Sequence, residues 1–108
     1  MDDYFYSMLL ACKTFLSEND VMQAVSLQFS NGLVSTFDGL DLQCIANVLN
    51  KETPAVVRVL CIWNSLEPDV PSYAVRQFLS DINPANKNAL ILLKGADNYV
   101  VKELKIML

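Results

Sequence analysis

Residues 53–63 read TPAVVRVLCIW, and the conformation of this apolar stretch decides the fold. Thr53-Pro54 favours a helix start, because threonine caps helices and proline suits the first helical turn. A helix would place one row of large apolar side chains on a single face: Val56, Val59, Leu60, Trp63 and Leu66. The other faces are apolar as well, which predicts a central element. The many β-branched residues fit a buried strand equally well, so both conformations stay open.

The N-terminal residues 3–17 carry the clearest helical pattern in the chain. Apolar side chains recur there at helical spacing: Phe5, Met8, Leu9, Cys12, Phe15 and Leu16. Asp2 and Asp3 suit the positive end of a helix dipole. The pattern therefore predicts an amphipathic first helix.

Start and stop signals favour helices through most of the remaining chain. Asp41, Ser72 and Asn83-Pro84 are typical helix starts, and Lys94-Gly95 is a typical helix end. The sequence holds three glycines, fewer than a sheet-rich domain usually needs for its turns. We therefore predict a single domain over residues 1–108, mainly α, built as a compact bundle of about six short helices. In architecture alone, such a bundle resembles the homotypic interaction domains of the death-fold type.

An α+β alternative places hairpins at 25–37 and 89–106. In the first hairpin, Val25, Leu27 and Phe29 alternate with polar residues, and Asn31-Gly32 fits a two-residue turn. In the second hairpin the alternation is poorer, because Val100 would share a face with Lys102.

Composition and cysteine use indicate a folded intracellular chain. The 108 residues are 53% hydrophobic and 19% charged, which excludes disorder. No apolar run reaches the roughly 18 residues of a membrane span, and the Met-Asp-Asp start lacks the positive charge of a secretory signal. Cys12, Cys44 and Cys61 are widely spaced, as structural thiols in a reducing compartment would be. We expect a cytoplasmic protein with no membrane partner.

The residues of most catalytic motifs are missing. The sequence has no histidine, no CxxC pair and no glycine-rich phosphate loop. Its carboxylate pairs lie beside expected turns and caps, where acidic residues have structural roles. We therefore predict no catalytic residue, no metal site and no cofactor, and that the chain is not an enzyme.

These observations favour a non-enzymatic protein–protein interaction module, such as an adaptor, an assembly subunit or a small acidic inhibitor of the immunity type. The net charge of −4 suits a basic partner, and self-association is the other option. The predicted interface lies on the outer flank of the first helix. Its residues are Tyr6, Leu10, Lys13, Asp2 and Asp3.

The alternative function is a helix-turn-helix DNA-binding regulator using residues 42–66. Arg58 would lie on the second helix and Lys51 in the turn. The acidic first half of the chain would repel phosphates, so nucleic acid is the less favoured partner.

Overall fold

The stretch that decides the fold is a strand at the centre of a sheet. The computed structural model describes residues 2–108. In chain order its elements are α1 (Asp3–Glu18), β1 (Gln23–Phe29), β2 (Val34–Asp38), α2 (Leu42–Val48), β3 (Val56–Trp63), α3 (Tyr73–Ile82), β4 (Leu90–Lys94) and β5 (Tyr99–Glu103). Short 3₁₀ helices at Pro84–Asn88 and Leu104–Met107 precede β4 and follow β5.

The five strands form one mixed sheet in the order β2-β1-β3-β4-β5. Strands β3 and β4 are parallel, and the other neighbours are antiparallel. The central position of β3 explains its nearly continuous apolar sequence, because both of its faces are covered. Val59 and Cys61 belong to one core cluster, whereas Leu60 and Ile62 belong to the other.

Helices cover the two faces of the sheet. Helix α1 packs Phe5, Met8 and Cys12 against one face, where they meet Leu60 and Ile62. Helices α2 and α3 cover the opposite face, and their contact residues with that cluster include Ile45, Leu49, Val75 and Leu79. The result is a three-layer arrangement with an apolar core on each side of the sheet.

The predicted bundle of six helices is wrong, and the death-fold resemblance is wrong with it. Helices are found where a cap and a one-sided apolar stripe occur together: Asp2 accepts the Phe5 N–H at 2.9 Å, and Ser72 accepts the Val75 N–H at 3.4 Å. Thr53-Pro54 has the local signal of a helix start, but the residues after it are apolar on both sides. Burial on two faces therefore overrides the local signal.

The α+β alternative located two hairpins but not the mixed sheet that joins them. Strands β1 and β2 meet at a turn in which Gly32 has φ +88°, a left-handed conformation that suits glycine. Strands β4 and β5 form the second hairpin. Strand β5 is an edge strand with both faces largely exposed, which explains why its sequence shows no clean alternation.

Within residues 2–108, none of the helices combines the length and the apolarity that crossing a bilayer requires.

Candidate functional site

The carboxyl ends of three strands meet the starts of two helices at one edge of the sheet. Strand β1 is antiparallel to both β2 and β3, and β4 is parallel to β3, so β2, β3 and β4 run the same way. The Ser72 hydroxyl at the start of α3 donates to the Gly39 carbonyl oxygen at 3.3 Å, joining this helix to the loop after β2. Ligands of α/β sheets usually bind outside the carboxyl ends of the strands. We call this region the α2/α3 edge, defined by Gln23, Asp38, Gly39, Asp41 and Ser72.

Gln23 is the most unusual residue of the α2/α3 edge. It begins β1, lies opposite Trp63 in the sheet and is 0% exposed. Within residues 2–108, neither its Oε1 nor its Nε2 atom has a hydrogen-bond partner. A Cβ atom on Gly39 would collide with that Oε1 atom, so the carboxamide lies directly against the Gly39 backbone. A buried, unpartnered amide is costly, and such groups often mark a function.

The start of α3 is held in place by hydrogen bonds to its neighbours. Ser72 caps the helix and also binds Gly39, as described above. The Trp63 indole N–H donates to the Val70 carbonyl oxygen at 3.4 Å, which ties the end of β3 to the segment before the helix. The edge is therefore assembled from three separate parts of the chain.

The start of α2 holds a cysteine, Cys44, whose thiol pKa is raised. The Asp41 carboxylate accepts the backbone N–H groups of Gln43 at 2.9 Å and Cys44 at 3.4 Å. Burial raises the pKa of the Cys44 thiol, and the hydrogen bond and charge of Asp41, with the charge of Asp38, raise it further. The raised pKa disfavours nucleophilic attack by Cys44, because the thiolate is the nucleophile.

The other two cysteines are buried in the core: Cys12 lies in α1 and Cys61 lies in β3. Burial raises the pKa of Cys12 to about 12. Burial also raises the pKa of Cys61, with smaller contributions from Cys12 and Asp69. Neither cysteine is in a disulfide, so both are buried thiols with a packing role.

These elements form an α/β fold that is similar to the fold of a known enzyme. One similar solved structure is the cytidine deaminase from Mycobacterium leprae, with a TM-score of 0.70 and 12% sequence identity. The match covers 99% of this chain and 98% of that one. No family model and no curated protein matches the sequence. At this identity the likeness shows the fold.

This finding corrects the functional predictions. The non-enzymatic interaction module and the prediction that the chain is not an enzyme are contradicted, because the whole chain has a fold similar to that of an enzyme. Both followed from the supposed helical bundle and from the missing histidine. The helix-turn-helix alternative is also wrong, because the second half of residues 42–66 is strand β3. Arg58 lies on that strand, and Lys51 lies in an exposed turn before it.

The residues of this chain do not fit the catalytic zinc of the deaminases. Zinc deaminases bind the metal through an H-x-E segment and a P-C-x-x-C segment. The sequence at the start of α3, Pro71-Ser72-Tyr73-Ala74-Val75, has the proline of the second segment but serine and valine in place of its cysteines. Val75 is 0% exposed in the core, and Cys44 in α2 is followed two residues later by Ala46 instead of a glutamate. Among residues 2–108, no group of three His, Cys, Asp or Glu side chains could hold a metal.

The predicted interface on α1 stays a prediction. Tyr6 and Leu10 are 56% and 48% exposed, so neither is a core residue. Asp3 and Lys13 are exposed too, whereas Asp2 caps the helix and lies near Arg58. Sequence reasoning missed Gln23 entirely. A polar residue at the start of an apolar strand is its only signal, and that pattern is common.

Proposed function

We propose that this protein binds a pyrimidine nucleoside or nucleobase at the α2/α3 edge, without a zinc ion. The observation that carries the proposal is the buried, unpartnered carboxamide of Gln23. It lies at the sheet edge where α/β folds commonly place their ligands. The similarity in fold to a cytidine deaminase supports pyrimidines as the ligand class.

The chemistry of a carboxamide suits the edge of a cytosine ring. A glutamine side chain offers one acceptor oxygen and two N–H donors. Cytosine presents a ring-nitrogen acceptor beside an amino donor, so two hydrogen bonds form at once, in the way that glutamine reads adenine. Trp63 lies directly opposite Gln23 on β3 and offers an aromatic surface beside it.

Access to the carboxamide requires a local movement. Gln23 is fully covered, so a ligand reaches it only when the loop around Gly39 or the segment before α3 moves aside. That segment is tied to the sheet by the Asp69 N–H bond to the Cys61 carbonyl oxygen, at 2.9 Å, and the Lys94 N–H bond to Pro68, at 3.2 Å. The opening lowers the apparent affinity, because only the open fraction binds.

No deamination step is assigned to the chain, because its residues supply neither the zinc ligands nor the glutamate that such a step uses. We also propose that the protein is cytoplasmic, as expected from its sequence.

The test is a calorimetric titration of cytidine, uridine and adenosine into the protein, with and without EDTA. We expect cytidine to bind saturably, with the same affinity in EDTA. Gln23→Met should weaken binding at least about tenfold, since roughly 1.4 kcal/mol of hydrogen bonding is lost.

The matched control is Gln77→Met, because the Gln77 amide on α3 donates a solvent-exposed hydrogen bond to Asp81. This variant should bind cytidine as the unchanged protein does. No cytidine binding, or equal binding by Gln23→Met, would refute the proposal. Equal binding of adenosine would show that the ligand class is wrong.

A further inference from the structure

A cavity lies at the opposite edge of the sheet, where β1 ends and β3 begins. Its volume is about 320 Å³, and its lining includes Tyr4, Gln28, Ser30, Val57 and Arg58. We propose that this cavity binds a small molecule through a carboxylate or phosphate group, held by the Arg58 guanidinium. This site is separate from the α2/α3 edge and does not depend on the proposed nucleoside binding.

Arg58 is a mostly buried cation on a central strand. Its side chain is 23% exposed, and it lies opposite Gln28 in the sheet. Its Nη1 atom donates to the Gln28 Oε1 atom at 2.8 Å. Burying a charge is costly unless it is paired and hydrogen-bonded.

Asp2 pairs with Arg58 incompletely. The Asp2 Oδ2 atom is 3.6 Å from the Arg58 Nε atom, beyond hydrogen-bond distance, and that Nε atom has no partner within residues 2–108. The other carboxylate oxygen, Oδ1, is engaged by the Phe5 N–H at 2.9 Å. A guanidinium has five N–H donors, and in the described chain one of them makes a hydrogen bond, to Gln28. The unused Nη donors can therefore take an oxyanion.

Aromatic rings hold the plane of this guanidinium. The Arg58 Cζ atom lies 4.4 Å from the Tyr4 ring centre and 5.9 Å from that of Phe5. A guanidinium fixed in this way is suited to binding a carboxylate or phosphate through two parallel hydrogen bonds. The half-exposed Tyr4 ring also gives the cavity an apolar wall against which a ligand ring can pack.

Size and charge restrict the ligand. A volume of about 320 Å³ is at the low end for small-molecule pockets, which run from roughly 300 to 1,000 Å³. The net charge of −4 repels polyanions, which argues for one anionic group instead of a nucleic-acid backbone. A single ring bearing one carboxylate or phosphate satisfies both conditions.

The test follows the amide resonances of the ¹⁵N-labelled protein during titration with benzoate, phenyl phosphate and benzamide, the neutral analogue of benzoate. We expect benzoate or phenyl phosphate to shift the resonances of Tyr4, Ser30 and Val57 saturably, and benzamide to leave them in place. The anion that binds more tightly shows whether the site prefers a carboxylate or a phosphate group. Equal shifts with benzamide, or shifts spread over the whole surface, would overturn the proposal.

Two charge variants near the cavity and one control variant sharpen this test. Arg58→Met should weaken benzoate binding at least about tenfold. Lys94→Met, which removes an exposed cation paired with Glu67, should leave the affinity for benzoate unchanged. Asp2→Asn should strengthen binding by up to about fivefold, because it removes a competing charge worth at most about 1 kcal/mol. Asparagine caps helices as well as aspartate does, so this variant keeps the fold and stays informative if Arg58→Met does not fold. Benzoate affinity that is unchanged in Asp2→Asn, or undiminished binding by a folded Arg58→Met, would refute the assignment.

Discussion

Replacing Gln23 by methionine should make the protein more stable while removing its proposed ligand site. In the folded chain, the Gln23 carboxamide is fully buried and both of its polar atoms lack partners within residues 2–108. In the unfolded chain the same amide is hydrated, so folding loses that hydration without replacement. An unsatisfied buried group costs about 1–3 kcal/mol, and methionine fills a similar volume without that cost. We expect Gln23→Met to raise the free energy of unfolding by about 1–3 kcal/mol.

The matched control lies on the same strand. Gln28 is also buried, but its Oε1 atom accepts the Arg58 Nη1 hydrogen bond at 2.8 Å. Gln28→Met leaves a charged donor unpaired and should lower stability by about 1–3 kcal/mol. Urea unfolding followed by the fluorescence of Trp63, the one tryptophan, measures both variants. If Gln23→Met destabilises the protein as Gln28→Met does, the Gln23 amide is satisfied in the folded protein, and the reasoning fails.

Three further predictions concern the cap, the thiols and the first helix. Ser72→Ala should lower the free energy of unfolding by about 1 kcal/mol, because it removes the α3 cap. Ser17→Ala, at an exposed helix end, should have little effect, and an equal loss of stability by both variants in urea unfolding would contradict this prediction. The free energy of unfolding should fall as pH rises from about 9 towards 12, because burial raises the pKa of Cys12 from 9.0 to about 12 and the thiol ionises first in the unfolded chain. Cys12→Ala should make that fall shallower, and an unchanged slope in this variant would contradict the prediction. The exposed pair Tyr6→Ala with Leu10→Ser should leave circular dichroism unchanged and weaken self-association in sedimentation, and assembly that persists would exclude α1 as the interface.

The sequence specifies elements whose local and tertiary signals agree. Helix α1 has one apolar face and a capping aspartate, and the structure begins it directly after that cap, Asp2. The Asp41 and Ser72 caps likewise start α2 and α3. At Thr53-Pro54 the local and the tertiary signals disagree. The local signal favours a helix, whereas the apolar pattern of Val56–Trp63 requires cover on both faces. The helices packed on both faces of the sheet supply that cover, and they come from other parts of the chain.

The candidate site was beyond the reach of sequence reasoning for a different reason. Gln23, Gly39 and Ser72 are far apart in the chain and meet only because β2, β3 and β4 end at one edge. A search for metal-ligand or nucleophile patterns also passes over a carboxamide, because glutamine has no such chemistry. Burial is what makes Gln23 conspicuous, and burial is a property of the fold.

The central claim is that the Gln23 carboxamide binds a pyrimidine without zinc. The most direct measurement follows the side-chain NH₂ resonance of Gln23, assigned by its disappearance in Gln23→Met, while cytidine is added in the presence of EDTA. We predict that this resonance shifts saturably with cytidine and that the shift is the same with and without the chelator. A resonance that stays in place at saturating cytidine, or that moves only when zinc is added, would contradict the account.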